Sequence, residues 1–142
     1  MDEQELQAKL MEIEIIKQQL GQMDQQKAQI NARLMDAQAA AQTIADMKDT
    51  DGAIDVLVPV GGGMFTKASV SDAKKLIVHV GADIAVEKSL PEAKALMDEM
   101  KSGYEKMFND IDKDIQNLQN HGESIYSMIE QQSRASQQPE KS

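Results

Sequence analysis

Cysteine and tryptophan are absent from this 142-residue chain, and aromatic residues make up only 3% of it. Without cysteine, disulfides, thiolate nucleophiles and cysteine-ligated zinc sites are excluded. Aromatic side chains supply much of the buried area of compact domains, so their scarcity argues against a thick globular core. The chain also lacks a run of 18 apolar residues, and the sequence therefore predicts no membrane-spanning helix.

The charge is acidic, with 24 acidic and 15 basic residues and a formal net charge of -9. An acidic balance argues against nucleic acid and against an anionic membrane surface as partners. The opening residues, MDEQELQAKL, are acidic and carry no apolar signal core. We therefore expect a soluble cytoplasmic protein of one domain.

A heptad repeat runs through residues 3–48 without a proline. With Leu6 at position a, ten of the thirteen a and d positions are apolar. A repeat of 3.5 residues sustained over this length predicts one helix of a coiled coil.

A second helix is predicted for residues 90–132. It follows Ser89, which is a good N-cap, and Pro91, which is tolerated in a first helical turn. We place these residues at its a positions: Met97, Tyr104, Ile111, Leu118 and Ile125. We place these at d: Ala93, Met100, Met107, Asp114, His121 and Met128. Two helices of about 60–70 Å must pair along their length, and we expect an antiparallel coiled coil.

The predicted register sets Lys27 opposite Asp114. A slip of one heptad would bury Asp114 against leucine, which costs several kcal/mol for a lone carboxylate. We therefore expect the Lys27–Asp114 ion pair to fix the register. In this register Gly21 and Gly122 lie at nearly the same height, either as a soft point of the arm or as tolerated surface glycines.

Between the helices, residues 49–89 contain four β-rich runs. The stretch VLVPVGGGMFTKASV predicts strands Ile54–Val60 and Met64–Val70 around a glycine turn. The stretch KLIVHVGADIAVEKS predicts strands Leu76–Val80 and Ile84–Lys88 around a second turn. Pro59 marks its strand as an edge strand or a bulged one. The fold class is therefore α+β, with two β-hairpins set between the two helices.

Two hairpins cannot bury both faces on a lone coiled coil, and open strand edges pair with other chains. The insert is therefore predicted to be an assembly module that completes a barrel or sheet with copies of itself or of a related subunit. The apolar residues expected to drive oligomerisation are Val56, Val58, Val60, Phe65, Val70, Ile77, Val78, Val80, Ile84 and Val86.

The insert resembles that of α-type subunits of the prefoldin family. There, a VPLG-like strand and hairpin precede a strand ending in VGA and a VEK-type strand, as in VLVPVGGGMFTKASV and KLIVHVGADIAVEKS here. Two hairpins rather than one favour the α type over the β type. The resemblance covers nearly the whole chain but is generic in the helices. The polar segment 133–142 is predicted to be disordered.

The resemblance implies an ATP-independent chaperone without a cofactor. In the family, two α and four β subunits join their hairpins into a double β-barrel platform. Six coiled-coil arms hold unfolded proteins at their tips and pass them to a group II chaperonin. The residues expected to bind clients at the arm tip are Leu6, Leu10, Met11, Ile15, Tyr126 and Ile129. The alternative reading of Leu10 and Ile129 is that they belong to a widened helix seam.

Enzymatic chemistry is not predicted. The glycine turn at 61–67 does not fit the phosphate-loop pattern, and a strand follows where a helix would be required. Asp110–Asp114 lacks the glycine and glutamate of a calcium loop, and the two histidines stand alone, so we expect no metal. The remaining alternative is a coiled-coil scaffold or filament subunit that assembles through the same hairpins without binding clients.

Overall fold

The computed structural model describes residues 2–50 and 52–137, with side chains up to Ala135. The elements, in chain order, are α1 (Glu3–Lys48), β1 (Ile54–Gly61), β2 (Met64–Val70), β3 (Lys75–Gly81), β4 (Ile84–Ser89) and α2 (Leu90–Gln137). Two long helices with two antiparallel hairpins between them confirm the predicted fold class. The residues pack as two units. The first contains the residues up to Ala32 and those from Glu105 onward, and the second contains Arg33–Tyr104.

Both hairpins turn through residues with positive φ. In the first, Gly62 and Gly63 have φ of 60° and 77°, which glycine adopts without a Cβ clash. The second places Ala82 and Asp83 at φ of 47° and 59° in the corresponding turn. In β1 the strand register shifts between Pro59 and Gly61, so the predicted bulge is confirmed. Within the described residues, β1–β2 and β3–β4 form separate two-stranded sheets.

A small apolar cluster holds the base of the second hairpin against the two helix ends of the Arg33–Tyr104 unit. Ile44, Leu90 and Ala93 are buried there, with the half-buried Leu76 of β3 packed against them. The backbone N–H of Leu90 donates to the carbonyl oxygen of Lys74 at 3.1 Å. Hydrophobic contacts and this hydrogen bond therefore fix the point where α2 leaves the sheet.

The start of α2 is capped as predicted. The N–H of Glu92 donates to the Ser89 hydroxyl at 3.3 Å, and that hydroxyl donates to the Glu92 carboxylate at 3.0 Å. Ser89 is therefore an N-cap, and its hydroxyl satisfies a backbone donor that the first helical turn leaves without a partner.

In the other unit, α1 and α2 pack antiparallel, and the seam on α1 follows the predicted heptad. Ile16 is only 5% exposed, and the flanking a and d residues Ile13, Leu20 and Met23 are half-buried. The a row of α2 is also confirmed in this unit, since Ile111 and Leu118 are half-buried and Ile125 is buried.

The d row assigned to α2 is wrong by one residue in this unit. The predicted members are exposed: Met107, Asp114, His121 and Met128. The following residues are buried or half-buried instead: Phe108, Ile115, Gly122 and Ile129. The physical reason is desolvation, because the predicted row would bury a carboxylate and an imidazole while the observed row buries Phe and Ile.

The predicted Lys27–Asp114 pair is also wrong. The Lys27 ammonium lies 2.6 Å from an Asp112 carboxylate oxygen and 5.0 Å from the centroid of the Phe108 ring. Asp114 is exposed and makes no contact with Lys27. In the shifted seam Asp112 and Asp114 flank opposite sides, and Lys27 reaches Asp112. Two contacts therefore stabilise the Lys27 ammonium near the seam: the ion pair with Asp112 and the cation–π contact with Phe108.

The glycines do not face each other. Gly122 faces Ile16: a Cβ built on Gly122 would lie 3.4 Å from Ile16 Cγ2, whereas nothing lies within 4 Å of a Cβ on Gly21. Gly21 is exposed and Gly122 is half-buried. The interpretation of the two glycines as a shared soft point is therefore not supported. Of the two, Gly21 is the surface glycine.

The predicted disorder after Gln132 is wrong for residues 133–137, because α2 continues to Gln137. Gln, Arg and Ala favour a helix, and Arg134 lies 3.6 Å from the Glu130 carboxylate one turn earlier. The rest of the predicted disordered tail, residues 138–142, lies outside the described residues.

Replacing Asp112 with alanine is expected to destabilise the helix pair more than replacing Asp114. Both changes raise helix propensity equally, so the difference between them reports the contacts of Asp112, which are the ion pair with Lys27 and a 3.5 Å hydrogen bond from Gln116. The pair is partly exposed, and we expect a difference of about 1 kcal/mol in the free energy of unfolding. Urea titrations followed by circular dichroism measure it. Equal effects, or a larger loss for Asp114→Ala, would contradict the observed pairing.

Candidate functional site

The first candidate surface lies on the hairpins. Seven of the ten residues predicted to drive oligomerisation are exposed large apolar side chains: Val58, Val60, Phe65, Ile77, Val80, Ile84 and Val86. Ile77 is the most open, at 77% exposure. We call these seven, with Leu57 and Met64, the hairpin apolar surface.

Leu57 and Met64 were not predicted, although each is 64% exposed. Leu57 lies on the strand face opposite to the row of valines, and Met64 begins β2 directly after the turn. Strand alternation carries the signal for Leu57, because successive side chains point to opposite faces of a sheet.

Three predicted members of the oligomerisation set lie deeper in the sheets. Val56, Val70 and Val78 are half-buried within the chain. Val56 pairs with Ala68 across the first hairpin, and Val78 pairs with Val86 across the second. Their part in oligomerisation stays a prediction.

The second candidate surface lies where α1 begins and α2 ends. Four predicted residues are exposed there: Leu10 at 47%, Met11 at 66%, Ile15 at 52% and Tyr126 at 61%. We call these four the tip apolar surface. Exposed apolar side chains grouped at one end of a helix pair are typical of a binding site.

Two shallow grooves form this surface. Leu10, Met11 and Ile15 line the first groove on the outer face of α1, together with Glu14 and Gln18. The second groove runs between the helices, and its lining residues include Ile13, Ile16, Leu20, Gly122 and Tyr126. Because Gly122 has no side chain, Ile16 can pack close to it and forms part of the groove floor.

Leu6 and Ile129 are half-buried, unlike the other predicted tip residues. Leu6 is an a residue of the confirmed α1 heptad, and Ile129 belongs to the observed seam row of α2. The seam interpretation therefore fits Ile129, whereas Leu10 is about half exposed and does not belong to the seam. A role for Leu6 and Ile129 in client binding stays a prediction.

An interhelical hydrogen bond joins the two helices beside these grooves. His121 Nε2 lies 3.1 Å from Glu12 Oε1, and Lys9 lies 3.6 Å from the same carboxylate. The hydrogen bond from His121 is the largest cause that lowers the pKa of Glu12 below its ordinary value of 4.5. Since the folded pKa is the lower one, this contact contributes stability above pH 4.5, which is lost as the pH falls through the folded pKa.

The structure offers little for other chemistry. No group of three or more His, Cys, Asp or Glu side chains within residues 2–50 and 52–137 is arranged to hold a metal ion. In the same part of the chain, no helix combines the length and apolar character needed to cross a bilayer. The turn at Gly61–Gly63 leads directly into β2, as a hairpin turn does.

The family model for "Prefoldin subunit" matches residues 16–135, which include most of both helices and both hairpins. The chain belongs to the prefoldin family. It is 28% identical to "Prefoldin subunit alpha" of Methanococcus aeolicus over 138 residues, covering 97% of this chain and 84% of that protein. It is also 28% identical to "Prefoldin subunit alpha" of Methanoculleus marisnigri, covering 96% and 91% of the two chains.

Solved prefoldin structures share the fold. The prefoldin β subunit from Thermococcus strain KS-1 aligns with a TM-score of 0.61 at 18% identity, covering 95% of each chain. A chain of the filamentous prefoldin of Methanocaldococcus jannaschii aligns with a TM-score of 0.51 at 22% identity, covering 86% of this chain and 95% of that one. The resemblance read from the insert sequence is confirmed, and prefoldins are a family of non-enzymatic chaperones.

Proposed function

We propose that this chain is an α-type subunit of a cytoplasmic, ATP-independent prefoldin. Two copies join four β-type subunits through the hairpins, and the helix pairs hold unfolded proteins for transfer to a group II chaperonin. The chain acts without a cofactor and catalyses no reaction. Membership of the prefoldin family and the α-type names of its relatives support this proposal.

The observation that carries the proposal is the distribution of exposed apolar side chains. Among the described residues, nine large exposed ones lie on the hairpins, and five lie at the termini-bearing end of the helix pair. The first group suits permanent burial between subunits, because β-rich surfaces with open strand edges pair readily. The second group suits transient contact with apolar segments, because methionine adapts to many shapes.

The second candidate function is a scaffold or filament subunit. The open edges of both two-stranded sheets favour it, because a head-to-tail contact that does not close continues without limit. One structural neighbour is described as filamentous, although at 22% identity that likeness supports the fold alone.

Native mass spectrometry of the full-length chain, with and without a co-expressed β-type prefoldin subunit, tests the proposal. We expect a discrete hetero-hexamer when both are present. An open-ended ladder of masses in both samples would overturn the hexamer and favour the filament. The same chain expressed with an unrelated coiled-coil protein is the matched control and should form no mixed species.

A further inference from the structure

The termini-bearing end of the helix pair is strongly acidic as well as apolar. Residues 2–20 and 119–135 carry seven carboxylates against three lysine and arginine side chains. We call this the acidic tip. The excess of four negative charges lies at the same end of the helix pair as the tip apolar surface.

The three cations of the acidic tip are already engaged by neighbouring carboxylates. Lys9 lies 3.6 Å from Glu12, and Lys17 lies 3.7 Å from Glu14. The third, Arg134, pairs with Glu130 on α2. These local pairs neutralise three of the seven carboxylates, and the other four set the charge that an approaching segment meets.

Of those four carboxylates, one lines a groove and three precede the grooves on α1 by about one to two helical turns. Asp2, Glu3 and Glu5 begin α1, and the Asp2 carboxylate caps the helix by accepting the N–H of Glu5 at 2.8 Å. On α2, Glu123 lines the groove between the helices. Along a helix, Glu3 is two turns from Leu10 and thus about 11 Å away, which is close to the screening length of about 10 Å at 0.1 M salt.

We propose that the tip apolar surface prefers unfolded segments whose apolar residues are flanked by lysine or arginine over segments flanked by aspartate or glutamate. This inference rests on the proposed client-holding function and specifies its substrate class. Apolar contact provides the affinity, and charge complementarity with the acidic tip provides the discrimination. Acidic segments are repelled before their apolar residues can enter the grooves.

Three fluorescein-labelled peptides with one apolar core and lysine, serine or glutamate flanks test the preference. Fluorescence anisotropy measures their binding to the full-length chain in its native assembly. We expect the lysine-flanked peptide to bind about tenfold more tightly than the glutamate-flanked one at low ionic strength. In molar salt the ratio should fall to about twofold, because the screening length shrinks to about 3 Å.

A matched pair of triple variants assigns the effect to the acidic tip. Glu3→Gln, Glu5→Gln and Glu123→Gln together should reduce the lysine-to-glutamate ratio to about threefold or less. The control carries Asp98→Asn, Glu99→Gln and Glu105→Gln, which remove the same charge from exposed positions earlier in α2 and should leave the ratio unchanged.

The outcomes separate this inference from the proposed function. Equal binding of all three peptides to the unmodified protein would overturn the charge preference and leave client holding intact. A preference that survives in the tip variant would also overturn it, because the discriminating charge would then lie elsewhere. Failure of every peptide to bind would overturn both the preference and the client-holding function.

Discussion

Val58→Asp and Val80→Asp are each expected to release single chains whose helices remain formed. Both side chains are exposed, Val58 at 41% and Val80 at 52%, so a carboxylate at either position is solvated in the isolated chain. In an assembly through the hairpins it would be buried against another subunit, at a cost of about 3 kcal/mol or more. That corresponds to a loss of at least about 100-fold in affinity at each contact.

Sedimentation velocity with the β-type partner measures the assembly, and far-ultraviolet circular dichroism measures the helix content. The control is Ser71→Asp, which adds the same charge to the exposed connection between the hairpins and should leave assembly intact. If both valine variants still form the full assembly, the hairpin apolar surface is not the platform.

The hairpins and the first helix could be predicted closely because their local signals agree. Glycine turns separate β-branched runs, and the observed strand bounds lie within one residue of the predicted ones. In α1 a single apolar row satisfies the heptad, and its predicted bounds match the structure. Consistent local signals of this kind leave few alternatives for the fold.

The second helix was harder to predict because it carries two candidate apolar rows. Met100, Met107 and Met128 form one row, and Phe108, Ile115 and Ile129 form the row that follows it by one residue. The three methionines of the first row are spaced by multiples of seven residues and so fit a heptad. Asp114 and His121 occupy the two heptad positions between them. Weighing the desolvation cost of those two side chains would have selected the row that the structure shows.

The candidate site was also only partly predictable from the sequence. Periodicity alone identified Leu10, Met11, Ile15 and Tyr126 as outside the seam, and their exposure agrees with that assignment. The groove on Gly122 could not be predicted, because it depends on which residue of α1 faces that glycine. Interhelical register is set by side-chain packing between helices that are far apart in sequence, and a heptad pattern permits several registers.

The tip variant with Leu10→Ser, Met11→Gln, Ile15→Ser and Tyr126→Gln is expected to assemble normally yet fail to slow the aggregation of a denatured test protein. The four side chains are exposed, so their loss should cost the folded chain little. Full burial of such a side chain contributes about 1.5–3 kcal/mol, and a loosely held client would gain only part of this. A total loss of about 2–4 kcal/mol lowers affinity roughly 30- to 700-fold for each arm.

Light scattering during dilution of the denatured protein measures the protection, and native mass spectrometry shows that assembly is unchanged. The matched control replaces three exposed methionines of the helices with glutamine, Met35→Gln, Met100→Gln and Met107→Gln. It removes exposed apolar surface outside the grooves and should protect as well as the unmodified chain. Several arms acting on one client amplify each loss, so even a modest weakening per arm should abolish protection. Full protection by the tip variant would therefore refute client binding at this surface and favour the scaffold function.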